Sequence, residues 1–170
     1  MVMVIITTVM RAISKMRIRN KIANLINKIY EYIFCYDFFK NPNVKSYGRY
    51  VLKNSLNITI KGKVHINDYV YINGLGGVVL GDNVIISAGA KIISTGLLVN
   101  KYGFLNEHDN KKIKIGNNVQ IGAGAIVLSG VRICSNTIIG AASVVSKDIN
   151  EPGVYVGAPV RKIRGFIHEE

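Results

Sequence analysis

The sequence contains little proline, little cysteine and little acidic charge, and it contains no tryptophan. Its 170 residues include 3 Pro, 2 Cys and 10 Asp or Glu, and 49% of the chain is hydrophobic. This composition excludes a disordered or a collagen-like chain. Cys35 and Cys134 do not indicate a disulfide framework, and no Cys and His residues have the spacing of metal ligands. We therefore expect a one-domain globular chain in a reducing cytoplasm, without a metal site.

The shortage of acids leaves a net charge of +12, because 22 Lys or Arg face 10 Asp or Glu. Such a charge implies an acidic partner: nucleic acid, an anionic membrane or a phosphorylated cofactor. Much of the charge is divided between the N-terminal segment and the tail Arg161-Lys162-Arg164, and the repeats lack a basic and aromatic stacking surface. This distribution favours a membrane surface or a cofactor over nucleic acid.

The N-terminal segment lacks a hydrophobic run long enough to cross a bilayer. Residues 1–10 are apolar but make up about half of the roughly 20 residues that a span requires, and they lack a cleavage site. Residues 11–39 have apolar side chains at helical spacing and many basic ones, which predicts a basic amphipathic α-helix. Its apolar face either packs on the rest of the protein or lies on an anionic membrane. Pro42 ends the helical pattern.

The centre of the chain repeats every six residues. The repeated aliphatic residues are Ile115, Ile121, Val127, Ile133, Ile139 and Val145. Small or β-branched residues follow four positions later, at Val119, Ala125, Val131, Thr137 and Ser143. The same spacing begins at Ile60. A period of six fits short strands joined by tight corners, which is the pattern of a parallel β-helix. Gly and Asn at these corners tolerate positive φ.

The period stops after Ile92, and the polar loop 97–112 interrupts it. Insertions in solenoids tend to line the binding face, so we expect this loop, which contains His108, to be functional. We divide the chain into an N-terminal helical segment and connector (1–56), a β-helix (57–156) and a C-terminal tail (157–170).

These motifs resemble those of the hexapeptide-repeat acyltransferase superfamily. The resemblance covers about residues 57–165 and is strongest at Ile-Gly-Asn-Asn-Val-Gln-Ile-Gly-Ala-Gly-Ala-Ile from Ile115 and at Val-Gly-Ala-Pro-Val-Arg-Lys-Ile-Arg from Val156. A third motif, Ile-Gly-Ala-Ala-Ser-Val-Val-Ser-Lys-Asp, begins at Ile139. The chain is similar to the galactoside, maltose and surface-polysaccharide O-acetyltransferases. The resemblance implies an all-β, left-handed parallel β-helix, a homotrimer with active sites between subunits, and acetyl-CoA as the acetyl donor.

The resemblance also implies which residues bind the cofactor. These are Ala123 and Ala141 beside the pantetheine arm, Ser146 and Lys147 beside the cofactor, and Arg161 and Arg164 near its phosphates. The residue types suit these roles, because a narrow arm needs small side chains and phosphates attract Arg and Lys.

The resemblance implies a histidine base, and His108 is the first candidate. Imidazole titrates near neutrality and can remove the proton of an attacking hydroxyl. Galactoside-type enzymes have their histidine where this chain has Leu97, whereas His108 has the placement of serine acetyltransferases. Asn67 matches an asparagine that hydrogen-bonds the oxyanion from the neighbouring subunit. His65 and His168 are weaker candidates.

One further position departs from the family's pattern. Gln120 replaces a tryptophan that many relatives have. The aromatic wall near the acceptor or cofactor is therefore missing.

We therefore predict an O-acetyltransferase that acts on a sugar hydroxyl in capsule or lipopolysaccharide biosynthesis. The acceptor is a small-molecule or lipid-linked sugar, and the protein is cytoplasmic or peripheral to the membrane through residues 11–39. Serine O-acetylation and amino-sugar N-acetylation remain open, as does a trimeric scaffold without activity. A zinc-dependent carbonic anhydrase on the same solenoid needs about three imidazole ligands, but only His65 and His108 lie in the repeats.

Overall fold

A computed structural model describes residues 41–166, which form short strands and one 3₁₀ turn at Ser55–Asn57. The predicted helix at 11–39 and His168 lie outside the described residues. Backbone proximity divides the chain into two units, Met1–Asp37 and Phe38–Glu170, and the described residues belong to the second. In the part of the chain that is described, no helix has the length and apolar character that crossing a bilayer requires.

The strands follow one another at short intervals. They are Val44–Ser46 (β1), Val51–Lys53 (β2), Ile58–Ile60 (β3), Val64–Ile66 (β4), Tyr71–Asn73 (β5), Val78–Leu80 (β6), Val84–Ile86 (β7), Lys91–Ile93 (β8), Thr95–Asn100 (β9), Gly103–Asn110 (β10), Ile113–Ile115 (β11), Val119–Ile121 (β12), Ile126–Val127 (β13), Arg132–Ile133 (β14), Thr137–Ile139 (β15), Val144–Val145 (β16), Gly153–Val156 (β17) and Arg161–Arg164 (β18).

Three parallel sheets enclose the core. Face 1 contains β1, β4, β7, β12, β15 and β17; face 2 contains β2, β5, β8, β13 and β16; face 3 contains β3, β6, β11 and β14. Each coil of the chain visits the three faces in turn, and equivalent strands of successive coils pair in parallel. This arrangement confirms the predicted parallel β-helix. Its left hand stays a prediction from the resemblance. The parallel pairing also includes β1 and β2, which precede residue 57.

The hexad residues form the core. Strands of faces 1 and 3 direct their first and third side chains inward and their middle side chain outward, as in the buried, exposed, buried pattern of β12. All the predicted aliphatic positions from Ile115 to Val145 are buried, and so are the smaller residues that follow them. Each core methylene removed from water contributes about 0.8 kcal/mol, so the stacked coils gain stability along their whole length.

The corner between faces 3 and 1 shows why asparagine recurs there. Asn83, Asn118 and Asn136 occupy the same place in three successive coils, with φ of 52°, 55° and 57°. Asparagine adopts this left-handed conformation at lower cost than most residues. Their side chains also bond from coil to coil, because Asn83 Nδ2 donates to Asn118 Oδ1 at 2.9 Å and Asn118 Nδ2 donates to Asn136 Oδ1 at 3.0 Å.

Extra residues are confined to the corner between faces 2 and 3, which we call corner B. Corner B contains residues 54–57, 74–77, 94–112, 128–130 and 146–148 in successive coils. The predicted loop 97–112 is largely a β-hairpin, in which β9 pairs with β10 in antiparallel register. Most hairpin side chains are exposed, including Val99, Tyr102 and Phe104 at 73%, 85% and 73%. The hairpin therefore projects from the solenoid, and the coils resume in register after it.

Candidate active site

His108 lies near the root of the hairpin. It is opposite Leu97 in the antiparallel register, and its ring is exposed. Nδ1 is 3.5 Å from Thr95 Oγ1 and 3.4 Å from the carbonyl oxygen of Gly96. A carbonyl can only accept, so Nδ1 carries the proton when it bonds to Gly96. In that tautomer Nε2 has a free lone pair and can accept a proton from a substrate.

The root of the hairpin is fixed against the next coil. Ser129 Oγ donates to the carbonyl oxygen of Asp109 at 3.2 Å, and the amide of Lys111 bonds to Ser94 O and Ser129 Oγ, both at 3.1 Å. Because Asp109 directly follows His108, these bonds place the backbone beside His108 at corner B.

Ser146 and Lys147 lie at the same corner, two coils beyond the hairpin. Both side chains are exposed. Coils stack about 4.8 Å apart, so this pair lies about 10 Å along corner B from the hairpin root. The structure therefore brings His108, Ser146 and Lys147 to one edge of the solenoid.

Ala123 and Ala141 occupy the corner between faces 1 and 2, which we call corner A. They are in neighbouring coils, and the amide of Ala142 donates to Ala123 O at 2.8 Å. Both are exposed and carry only a methyl group. Gly122 allows this close stacking, because a Cβ there would be 2.5 Å from Ile139 O. The exposed surface at this corner is therefore lined by methyl groups.

Asn67 also lies on corner A, two coils before Ala123. Its side chain is half-buried, and Nδ2 donates to the carbonyl oxygen of Ile86 at 3.1 Å. One N–H of the amide is used in this bond, and the second is available to a ligand. Face 2 separates corner A from corner B, so a single chain does not bring Asn67 and His108 together.

Arg161 and Arg164 lie on β18, which folds back against β17 in antiparallel register. Both side chains are exposed. Between them, Lys162 Nζ donates to Glu151 Oε2 at 2.8 Å. This bond lowers the pKa of Glu151 and raises the pKa of Lys162. The ion pair helps to hold β18 in place, so that the two arginines extend from the end of face 1.

His65 has a structural environment. It lies in the middle of β4, its Nδ1 is 3.1 Å from Tyr47 Oη, and the two rings stack with centroids 5.9 Å apart. Gln120 is exposed in the middle of β12, where the register places it between Ile85 and Ile138. Within residues 41–166, no group of three His, Cys, Asp or Glu side chains could hold a metal ion.

Sequence reasoning missed the residues that position His108. Thr95 and Gly96 lie on a strand of the hairpin and Ser129 bonds to its root, whereas the sequence predicts only a polar loop at 97–112. The β-branched and aromatic residues around Asn100 and Gly103 were the available signal, because such residues flank the turn of a hairpin.

A family model described as bacterial transferase hexapeptide (six repeats) matches residues 112–147. These residues run from the hairpin root to Lys147 and coincide with the stacked coils described above. Residues 112–147 therefore match the hexapeptide-repeat family.

Known acetyltransferases are similar to parts of the chain. The chain is 42% identical over 88 residues to galactoside O-acetyltransferase of Escherichia coli K12, covering 51% of this chain and 43% of the relative. It is 36% identical over 115 residues to a putative acetyltransferase of Saccharomyces cerevisiae, covering 67% and 59%. The chain thus spans less than two thirds of either relative.

A solved structure supports the same fold. Galactoside acetyltransferase in complex with coenzyme A aligns with a TM-score of 0.58 and 32% identity, over 72% of this chain and 64% of that one. The chain is therefore similar to acetyltransferases in both sequence and coil architecture.

Proposed function

We propose that this protein is an acetyl-CoA-dependent O-acetyltransferase that acts on a sugar hydroxyl, with His108 as the general base. The observation that carries the proposal is the 3.4 Å contact between His108 Nδ1 and Gly96 O, because a proton on Nδ1 leaves Nε2 as the acceptor on corner B. The similarity to galactoside O-acetyltransferases supports the acyl-transfer chemistry and a sugar acceptor.

The described residues fit CoA. Acetyl-CoA would supply the acetyl group as a thioester. Ala123 and Ala141 would border its pantetheine arm, Ser146 and Lys147 would lie beside it, and Arg161 and Arg164 would neutralise phosphate charge. The fit rests on the open, methyl-lined surface of corner A and on the exposed arginines of β18.

The proposed chemistry uses two side chains. His108 Nε2 would accept the proton of the acceptor hydroxyl as the hydroxyl oxygen attacks the acetyl carbon. His108 would then return this proton to the sulfur that leaves when the C–S bond breaks, which balances the reaction. The free N–H of Asn67 donates to the acetyl oxygen as negative charge develops on it.

This chemistry requires more than one chain. Asn67 and His108 lie on different corners of one solenoid, so we propose a homotrimer in which Asn67 of one subunit faces His108 of the next. The similarity to a family of trimeric enzymes supports this arrangement. A place in capsule or lipopolysaccharide biosynthesis, a lipid-linked acceptor and a cytoplasmic location complete the proposal.

The replacement His108→Ala tests the proposed base. We expect transfer from acetyl-CoA to fall by at least a hundredfold, since general-base catalysis contributes about 10²–10⁴-fold. The affinity for CoA should stay unchanged, because His108 is proposed to transfer a proton and not to bind the cofactor. The measurements are acetyl transfer to galactosides and calorimetric titration with CoA. His65→Ala is the matched control and should retain turnover; undiminished transfer by His108→Ala would refute the assignment.

Serine O-acetylation is a second candidate. The supporting observation is the position of His108 on β10, three residues before Lys111 leads back into the coil. That placement is similar to the one in serine acetyltransferases. Comparing serine, a galactoside and an amino sugar as acceptors for the same enzyme preparation separates the candidates.

A further inference from the structure

The outer surface of face 3 carries an unusual pair of cations. Lys114 and Arg132 are direct partners across β11 and β14, and both side chains are exposed. Parallel strands lie about 4.8 Å apart, so the two positive charges start from neighbouring Cα positions. Like charges directly opposite one another destabilise a sheet. Lys112, also exposed, precedes Lys114 by two residues and adds a third positive charge.

These cations have little compensation. Among residues 41–166, the ion pairs are Lys111 with Asp109 and Lys162 with Glu151. Asp148 is the acid placed next to Arg132, and its Oδ1 accepts the backbone amide of Arg132 at 2.8 Å. The carboxylate therefore offsets part of the charge but forms no ion pair with the guanidinium. Lys112, Lys114 and Arg132 (the face 3 cations) present a net positive surface.

The face 3 cations adjoin the candidate base. Lys112 and Lys114 follow His108 in the same coil, and the strands advance about 3.3 Å per residue. The Cα of Lys112 therefore lies within about 13 Å of that of His108, and the Cα of Lys114 within about 20 Å. A ligand that reaches His108 with a hydroxyl can extend an attached anionic group onto face 3.

We infer that the acceptor is a sugar attached to a diphosphate, and that Lys112, Lys114 and Arg132 bind the diphosphate while the sugar hydroxyl reaches His108. The inference rests on the proposed function. Guanidinium groups bind phosphate oxygens in a bidentate manner, and lysines add point charges. The cations proposed for the phosphates of CoA, Arg161 and Arg164, lie on β18 at the end of face 1, and none of the proposed CoA residues lies on the strands of face 3.

The test uses the full-length chain with Lys114→Gln and Arg132→Gln combined. Lys63→Gln is the matched control, because Lys63 is an exposed lysine at the corner between faces 3 and 1. UDP-galactose, a polyprenyl-diphosphate-linked galactose in detergent micelles, and methyl β-galactoside serve as acceptors. Binding of UDP-galactose and of CoA is measured separately by calorimetry.

We expect the double variant to bind UDP-galactose at least tenfold more weakly, since a hydrogen bond to a charged group contributes about 1.5–3 kcal/mol. Its kcat/KM for the diphosphate-linked acceptors should fall by a similar factor. Its transfer to methyl β-galactoside, its CoA affinity and the Lys63→Gln variant should match the wild type. A preference of the wild type for UDP-galactose identifies a nucleotide-linked acceptor, and a preference for the polyprenyl compound identifies a lipid-linked one.

Other results would overturn the inference. Weaker CoA binding with unchanged acceptor binding would assign the face 3 cations to the cofactor. Equal losses of UDP-galactose binding in the double variant and in Lys63→Gln would mean that the protein's overall positive charge, and not the face 3 cations, attracts the ligand. Transfer to methyl β-galactoside without binding of UDP-galactose would refute the diphosphate site and leave the proposed function intact. Binding of UDP-galactose through these cations without transfer to any acceptor would refute the proposed function and support the site.

Discussion

Single residues at the corners determine where the chain can turn. Asn83, Asn118 and Asn136 combine a left-handed backbone with hydrogen bonds from coil to coil. Glycine would satisfy the first requirement and not the second, whereas most other residues would satisfy neither. This explains why asparagine recurs at one corner, while glycine recurs where coils approach closely.

Two replacements of Asn118 separate these requirements. Asn118→Gly removes both ladder bonds but keeps the backbone unstrained, and Asn118→Ala also forces a Cβ into the left-handed region. We expect both to lower the free energy of unfolding, with alanine lower than glycine by about 1 kcal/mol. Urea denaturation followed by circular dichroism measures both values. Equal losses would mean that backbone strain contributes nothing at this corner.

Sequence reasoning predicts the burial of single hexad residues more accurately than any other feature of the fold. One aliphatic residue per side is required for a narrow core, so a strict period identified Ile121 and Ile139 as buried without any tertiary information. The first coil escaped the same reasoning. Its inward positions include Ser46 and Tyr50, which break the aliphatic pattern although the backbone pairs normally.

At the scale of elements, the hairpin differs from the solenoid in how its strands pair. Its strands pair with each other in antiparallel register, and an irregularity between Phe104 and His108 changes that register. Such pairing depends on contacts between residues with no shared period, so the hexad spacing could not predict it. The position of His108 was predictable from the resemblance, but its partners Thr95 and Gly96 were not.

Deleting the hairpin should leave the fold intact. Ile92 pairs with Val127 in the next coil, and Lys114 pairs with Arg132. Removing residues 95–111 and replacing Lys112 with Gly therefore leaves a corner of the same length as Leu128–Ser129–Gly130, which also ends in glycine. We expect cooperative thermal unfolding within a few degrees of the wild type, because the deleted side chains are mostly exposed. Acetyl transfer should be lost, while CoA binding persists.

The outcome separates scaffold from function. A deletion variant that still transfers acetyl groups would exclude His108 as the base. A variant without a cooperative transition would show that the hairpin is part of the folding unit. Calorimetry and the acetyl-transfer assay together distinguish these results.

At the scale of the whole molecule, the solenoid places its candidate site residues on two edges that one chain cannot join. Asn67 and Ala123 lie on corner A, and His108 and Lys147 lie on corner B. A site that uses both edges needs a second copy of the chain. The oligomeric state is therefore part of the proposed mechanism.

The mass in solution tests this requirement. We expect light scattering to give three times the chain mass of 18.7 kDa, and calorimetry to give about one CoA per chain. Both values follow from three equivalent sites between subunits. A monomer that binds CoA and transfers acetyl groups would contradict the shared site, and a folded trimer that does not bind CoA would favour the scaffold.

The concentration of extra residues at corner B has a consequence for the history of the chain. Val78 pairs in parallel with Ile58 of the coil before it and with Ile113 of the coil after it, although many more residues separate Val78 from Ile113 than from Ile58. The coils therefore stack in the same register whatever the number of residues inserted at corner B. Descendants of such a protein can gain, lose or exchange segments there in single genetic events, and new acceptor specificities can arise without a change in the buried core.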